Sequence, residues 1–254
     1  NGTCIDRSTA EALYEIAPLG VEISLQGATG ETHDAIVGMH GAFTRATTAV
    51  KYLQQSSVPV KIKLTVMKEN YHEYEKFIDL AESLGVEYSL DPVIFPRRDG
   101  NSEPLSHFLD DERLEILLCD PRLTTFSECV PPLSNIEIPE SRLCGVGHSI
   151  IRISSNGDVY PFVSYSTKAG SVRDTPLHTI WQTSPLLLSL RKSRNADCTQ
   201  CTECELRHYC MRCCALAERM SGDFRGCDLV SKKIARIRKR RADETGHIQK
   251  KVVE

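Results

Sequence analysis

The chain has 254 residues, 41% of them hydrophobic and 26% charged, with a formal net charge of −3. That length can bury one large or two modest cores, and so even a charge balance predicts no bulk attraction to nucleic acid or to an anionic membrane. No apolar run approaches the roughly 18 residues of a membrane helix and no signal peptide opens the chain, so a cytoplasmic protein is expected.

The chain opens Asn1-Gly2-Thr3, without a Met, in what reads as the end of a strand, and a fragment is expected. From there to residue 92 the pattern alternates. Glu11 to Ile16 is a short helical stretch, and Val21 to Gln26 alternates as a strand with Val21, Ile23 and Leu25 on one face. Gly27 to Gly41 reads as a loop. Ala42 to Gln55 has helical spacing through Phe43, Ala46, Val50 and Leu53. Val58 to Met67 is a second strand, Tyr71 to Leu84 a helix with Phe77, Leu80, Ala81 and Leu84 inward, and Val86 to Leu90 a third strand closed by Asp91-Pro92. This order predicts an α/β fold with a parallel sheet or barrel. Each strand also carries a polar row, Glu22, Ser24 and Gln26 in one and Lys61, Lys63 and Thr65 in the next. Such a row faces either the interior of a barrel near its ligand end or the solvent.

Residues 93–143 are broken by Pro96, Pro104, Pro121, Pro131, Pro132 and Pro139 and read as a connector, interrupted by a helix from about Asp110 to Cys119. Cys119 reads as a packing residue, and Cys129 is ambiguous. From Cys144 the chain restarts with a hairpin, Ile150 to Ile153 and Val159-Tyr160 about a Ser155-Asn156-Gly157-Asp158 turn. A helix containing Trp181 and a Cys-rich segment complete residues 144–230. Residues 231–254 form a basic helical tail in which Lys232 to Arg241 reads as a solvated helix.

Seven of the eleven cysteines fall between residues 198 and 227. Disulfide frameworks spread their cysteines over the fold they staple, so a tight run reads as metal ligation in a reducing compartment. The spacing is Cys198-x2-Cys201-x2-Cys204-x5-Cys210-x2-Cys213-Cys214, then Cys227. Two-residue spacers let neighbouring thiolates point at one centre, which suits tetrahedral zinc or an iron–sulfur cluster. Seven thiols exceed the four of one zinc site, leaving a dinuclear zinc site or spare thiols open.

Cys201-x2-Cys204-x5-Cys210-x3-Cys214, with Cys227 after Gly222-Asp223, resembles the C-terminal motif of the SPASM domain, which holds auxiliary iron–sulfur clusters in radical S-adenosylmethionine (SAM) enzymes. Cys144 through Gly157 resembles its upstream half, but Phe162 stands where the family has a Cys. Independently, Asn1-Gly2-Thr3 resembles the end of the third barrel strand of those enzymes. Val21 to Ala28 with Glu31-Thr32-His33-Asp34 and Gly41-Ala42-Phe43 resembles the fourth strand and its loop, and Thr65 to Asn70 the end of the fifth. Among subfamilies the chain resembles maturases of ribosomally made peptides.

The resemblance implies the C-terminal part of a partial (β/α) barrel over residues 1–92, followed by a small Cys-rich α+β SPASM domain with a β-hairpin. It implies one 4Fe–4S auxiliary cluster on Cys201, Cys204, Cys210 and Cys227, and a second involving Cys144 and Cys214. At the second, Cys129, Cys198 or Cys213 would stand in for the Cys missing at Phe162, or the cluster would be smaller or lost, and His148 is a further stand-in to check. It implies SAM beside Ser24, with Lys63 and Asn70 near the same pocket. The partners implied are a precursor peptide, modified by hydrogen abstraction leading to a thioether or carbon–carbon crosslink, and an electron donor such as flavodoxin or ferredoxin. The family's SAM-cleaving Cys-x3-Cys-x2-Cys loop is absent from this sequence, so the chain alone is expected to be inactive. Two other readings stand beside this one: a non-catalytic iron–sulfur scaffold or electron-transfer partner, and a zinc-stapled scaffold.

Overall fold

The structure is a computed structural model that describes residues 1–123 and 142–252, without the side chains of 245–252. Two compact units form, one of Asn1–Ile94 with His107–Leu123 and one of Phe95–Ser106 with Thr124–Glu254. The segment read as a connector is thus shared between them. Its helix packs into the first unit, and Cys129 lies outside the described residues.

In the first unit, α1 (Arg7–Ile16) begins a turn earlier than the apolar spacing suggests, because the Asp6 carboxylate accepts from Thr9 N at 2.8 Å and caps it. Then come β1 (Val21–Ser24), α2 (Gly30–Val37), α3 (Ala42–Gln55), β2 (Val60–Thr65), α4 (Tyr74–Leu84) and β3 (Glu87–Asp91). The strands pair in parallel in the order β1-β2-β3, with Ser24 opposite Lys63 and Lys63 opposite Ser89. Ile23, Leu25, Ile62, Leu64 and Leu90 are buried beneath α3 and α4, which contribute Ala46, Val50, Leu53, Phe77, Ile78 and Ala81 to the core. Each such Leu, Ile or Phe contributes about 1.5–3 kcal/mol by leaving water. The polar row is exposed at Glu22 and half-buried at Ser24, Gln26, Lys61, Lys63 and Thr65.

The stretch Gly27 to Gly41, read as a loop, contains α2. Its single buried side chain is His33, so no apolar stripe announces it. Its ends are set by capping instead: the Thr29 hydroxyl accepts from Thr32 N, and Gly38 closes the helix at φ 68°. α5 (Asp111–Leu118) is capped by Asp110 and buries Leu114, Leu117 and Leu118. Cys119, read as a packing thiol, is disulfide-bonded.

The second unit holds an antiparallel sheet of β4 (Arg152–Ile153), β5 (Asp158–Tyr160) and β6 (Gly170–Ser171), in that order. The β4–β5 turn passes through Gly157 at φ 87°, a conformation glycine adopts without strain. Helices α6 (Leu177–Thr183), α7 (Pro185–Lys192), α8 (Thr199–Thr202), α9 (Cys214–Ser221) and α10 (Leu229–Val252) follow. A cluster of Tyr165, Leu187, Leu190, Cys214, Ala215 and Phe224 forms a core, with Phe162 and Trp181 packed against it.

The terminal helix is not merely solvated. Val230, Ile234, Ala235, Ile237 and Arg238 of α10 are buried, and the helix packs on the turn Arg207–Tyr209 inside the Cys-rich segment. Spacings of three and four residues place that apolar stripe on one face while the basic residues between them line the other. Among the described residues no helix is long and apolar enough to cross a membrane.

Candidate functional site

All seven cysteines of the run, and Cys144, are free thiols. Their spacing has a direct structural consequence. Backbone hydrogen bonds run from Cys201 N to Cys198 O at 2.8 Å, Cys204 N to Cys201 O at 3.3 Å, Arg207 N to Cys204 O at 3.0 Å and Cys210 N to Arg207 O at 3.4 Å. The two-residue spacers Cys198–Cys201 and Cys201–Cys204 therefore each close one i→i+3 turn, and residues three apart in such turns stack over one another. Cys227 arrives from the far side of α9, just ahead of α10. Cys201, Cys204, Cys227 and Asp228 are the groups whose charge is felt at Cys210, so these four thiols share one neighbourhood.

A second group forms around Cys144 and the start of α9. Cys144 Sγ lies 3.2 Å from Cys214 Sγ, and Cys213 packs beside them. Cys213 is the N-cap residue of α9 and Cys214 is its first residue. The contact with Cys214 brings Cys144 down to about 7, and the same contact with burial raises Cys214. Cys198 and Cys201 behave alike, Cys201 falling to about 6 through its contact with Cys198 while Cys198 rises. Burial pushes Cys210 up to about 12 and raises Cys213 and Cys227. Cys198 is 2% exposed and feels both Cys201 and Cys214, which places it between the groups. His148 sits instead among Arg142, Arg191 and Arg194. Phe162 packs against the core of this unit.

Two residues that the Cys spacing did not announce complete this centre. The half-buried Arg212 donates from Nε to Gly226 O at 3.1 Å and from Nη1 to Cys214 Sγ at 3.3 Å, and from Nη2 to Phe224 O. Burial works against its charge, but its interactions with Cys214 and Cys198 more than offset this and hold its pKa above the ordinary value. Asp228 is 1% exposed and caps α10 by accepting from Ser231 N at 2.6 Å, and burial raises its carboxyl pKa. An Arg in the middle of a Cys run and an Asp-x2-Ser after its last Cys are the signals from which both were open to being read.

Among the described residues no three His, Cys, Asp or Glu side chains converge as ligands of a single metal ion. The fit of an iron–sulfur cluster rests on the donor set: soft sulfur ligands, all free, buried at Cys198 and Cys214 and half-buried at the others, in two groups with the half-buried Arg212 beside them.

In the first unit the end of β1 is held rigidly. Gln26 N donates to His33 Nδ1 at 2.8 Å, and the Glu73 carboxylate accepts from Ala28 N, the Thr29 hydroxyl and the Thr32 hydroxyl, each at 2.8 Å. Burial opposes the Glu73 charge, yet the hydrogen bonds from Thr29, Thr32 and Ala28 keep its pKa below the usual range. Burial lowers the His33 pKa, which suits a neutral ring accepting at Nδ1. Ser24 sits half-buried opposite Lys63, whose Nζ lies 3.4 Å from Asp91. Asn70 is 0% exposed and fully engaged by backbone: Nδ2 donates to Gln26 O at 3.1 Å and Thr65 O at 2.9 Å, and Oδ1 accepts from Met67 N at 2.8 Å. It ties the C-terminal ends of β1 and β2 together.

Residues 144–205 match the SPASM iron–sulfur cluster-binding domain. The chain is 27% identical over 247 residues to an AdoMet-dependent heme synthase of Methanosarcina barkeri, covering 88% of this chain and 70% of that protein. It is also 27% identical over 234 residues to the mycofactocin maturase MftC of Mycobacterium tuberculosis, covering 87% of this chain and 59% of that one. Among solved structures it is similar to anSMEcpe with bound AdoMet, at a TM-score of 0.61 and 16% identity over 97% of this chain and 73% of that one. Streptococcus suis SuiB bound to its precursor peptide SuiA gives a TM-score of 0.62 and 19% identity, over 91% of this chain and 57% of that one. The chain thus spans between 59% and 70% of those two curated relatives.

Proposed function

We propose that this radical SAM/SPASM-type chain belongs to an enzyme that modifies a ribosomally made precursor peptide, and that its second unit carries two auxiliary iron–sulfur clusters. The arrangement that supports this is the grouping of free thiols, with Cys201, Cys204, Cys210 and Cys227 in one neighbourhood and Cys144, Cys213 and Cys214 in another. Cys198 is the thiol available to complete the second set. The clusters, when bound, supply electron transfer or a seat for substrate. The chain's own residues do the positioning: Arg212 offsets thiolate charge, and the turns from Cys198 to Cys210 hold the sulfurs in order. In the first unit Ser24 is the residue assigned to SAM, which the enzyme uses as its radical source. Lys63 and Asn70 lie near it, Asn70 as the positioning residue that keeps the strand ends together.

The peptide is the reading favoured by the likeness to MftC and by the fold shared with SuiB. A second reading, a tetrapyrrole substrate, is favoured by the likeness to the heme synthase over 88% of this chain.

Anaerobic purification followed by iron, zinc and acid-labile sulfide analysis tests the clusters. Iron and sulfide in equal amounts are expected, falling by about half in Cys201→Ala, whereas stoichiometric zinc without sulfide would sink the reading. Substrate class is decided by incubating the enzyme with SAM, a reductant and either the peptide encoded beside its gene or a tetrapyrrole. A mass change confined to the tetrapyrrole excludes the peptide.

A further inference from the structure

The group of thiols at Cys144 has one more polar atom beside it. Tyr165 is 0% exposed and packs in the same cluster as Cys214, with Cys144 and Cys213 against it. Among the described residues its hydroxyl has no hydrogen-bond partner. A buried hydroxyl in that state costs about 1–3 kcal/mol and is rare in folded proteins. The charges felt at the phenol are those of Cys214, Cys144, Glu218 and Cys213. Glu218 is already engaged, accepting from the Thr167 hydroxyl at 2.7 Å and Thr167 N at 3.2 Å. The thiol sulfurs of Cys214, Cys144 and Cys213 belong to the same packed cluster as the phenol. Its position is also telling: Tyr165 N donates to Phe162 O at 3.2 Å, one turn from the residue that replaces the expected ligand.

We propose that the Tyr165 hydroxyl donates a hydrogen bond to a sulfur of the cluster held at Cys144, Cys213 and Cys214, and so raises that cluster's reduction potential. This rests on the reading that a cluster binds there. A donor aimed at a cluster sulfur stabilises the reduced, more negative state, and hydrogen bonds of this kind are among the factors that set iron–sulfur potentials. A phenol suits the place: its ring packs in the cluster with Leu187 and Phe162, and its O–H is a hydrogen-bond donor. Tyr165 is thus a positioning and tuning residue, and is not an iron ligand.

The test compares anaerobically purified wild-type protein, Tyr165→Phe and Cys144→Ala, each with its clusters, by redox titration followed by electron paramagnetic resonance. The signal lost in Cys144→Ala identifies the cluster concerned. In Tyr165→Phe, iron and sulfide content stay at wild-type level and that signal's midpoint moves to more negative potential, while the other cluster's midpoint does not move. An exchangeable proton coupled to the reduced cluster is present in wild type and absent in Tyr165→Phe. An unmoved midpoint at full iron content overturns the proposal. So does iron loss in a Tyr165→Phe protein with unchanged circular dichroism, which would make the phenol a ligand. If Cys144→Ala removes neither iron nor signal, the cluster reading fails, and the proposal with it, for a reason independent of Tyr165.

Discussion

Glu73 shows at the scale of one residue how a buried charge is kept. At 4% exposure it would be costly alone, but it collects hydrogen bonds from Ala28, Thr29 and Thr32 and so fastens the loop that leaves β1. Glu73→Ala should lower stability by about 3 kcal/mol, because it strands buried donors as well as removing the bonds. Folding depresses the Glu73 pKa, so its contribution is complete above the carboxylate's unfolded value of about 4.3 and is lost as pH falls through the lower folded value. Urea unfolding of wild type and Glu73→Gln between neutral and acid pH checks this: the gap in midpoints is largest at neutral pH and closes on acidification. Gly27 is constrained by close approach. A Cβ there would stand 2.8 Å from Thr32 Cβ and 2.9 Å from His33 N. Gly27→Ala should therefore cost roughly 1–3 kcal/mol by overpacking and displace the start of α2, visible as a lowered melting temperature and faster amide exchange at His33.

At the scale of elements, the Cys-rich segment and α10 depend on each other. The segment has little regular structure: α8 is four residues long and the turn at Arg207–Tyr209 is three. Such short turns do not stand alone, since helix nucleation is unfavourable without tertiary support. The buried stripe of α10, Ile234, Ala235 and Ile237, supplies it, and Arg238 Nη1 donates to Tyr209 O at 3.4 Å. Ile237→Ala should cost about 2–5 kcal/mol and reduce the iron retained per chain, measured on the same preparation by calorimetry and metal analysis. A truly solvated tail would show neither effect. The periodicity that placed α3, α4, β1 and β2 was legible because each carries an apolar row of its own. α2 was not legible, because its position is decided by Thr29 and Gly38 at its ends and by contacts with α3.

For the whole molecule, the two compact units divide the work. The thiols lie in the second unit, and the parallel sheet with Ser24 and Lys63 lies in the first. A ligand that binds only the folded form stabilises what it binds. Removing iron with a chelator should accelerate amide exchange through α9 and the inner face of α10, with the amides of β2 unchanged. Equal acceleration in β2 would mean that the units do not unfold separately.

The sequence by itself determined the strand–helix alternation of the first unit and the metal-binding character of the Cys run. Both are written in local spacing: a period of two or of three to four residues for the elements, and the two-residue spacers of the cysteines, of which Cys198–Cys201 and Cys201–Cys204 each close one backbone turn. Tertiary structure decided which thiols meet and what surrounds them. Cys144 reaches Cys214 across 70 residues, Arg212 reaches Cys214, Phe224 and Gly226 at once, and the buried hydroxyl of Tyr165 is left without a partner among the described residues. These depend on how separate segments pack and on which buried polar atoms are left without partners, quantities that no local pattern encodes.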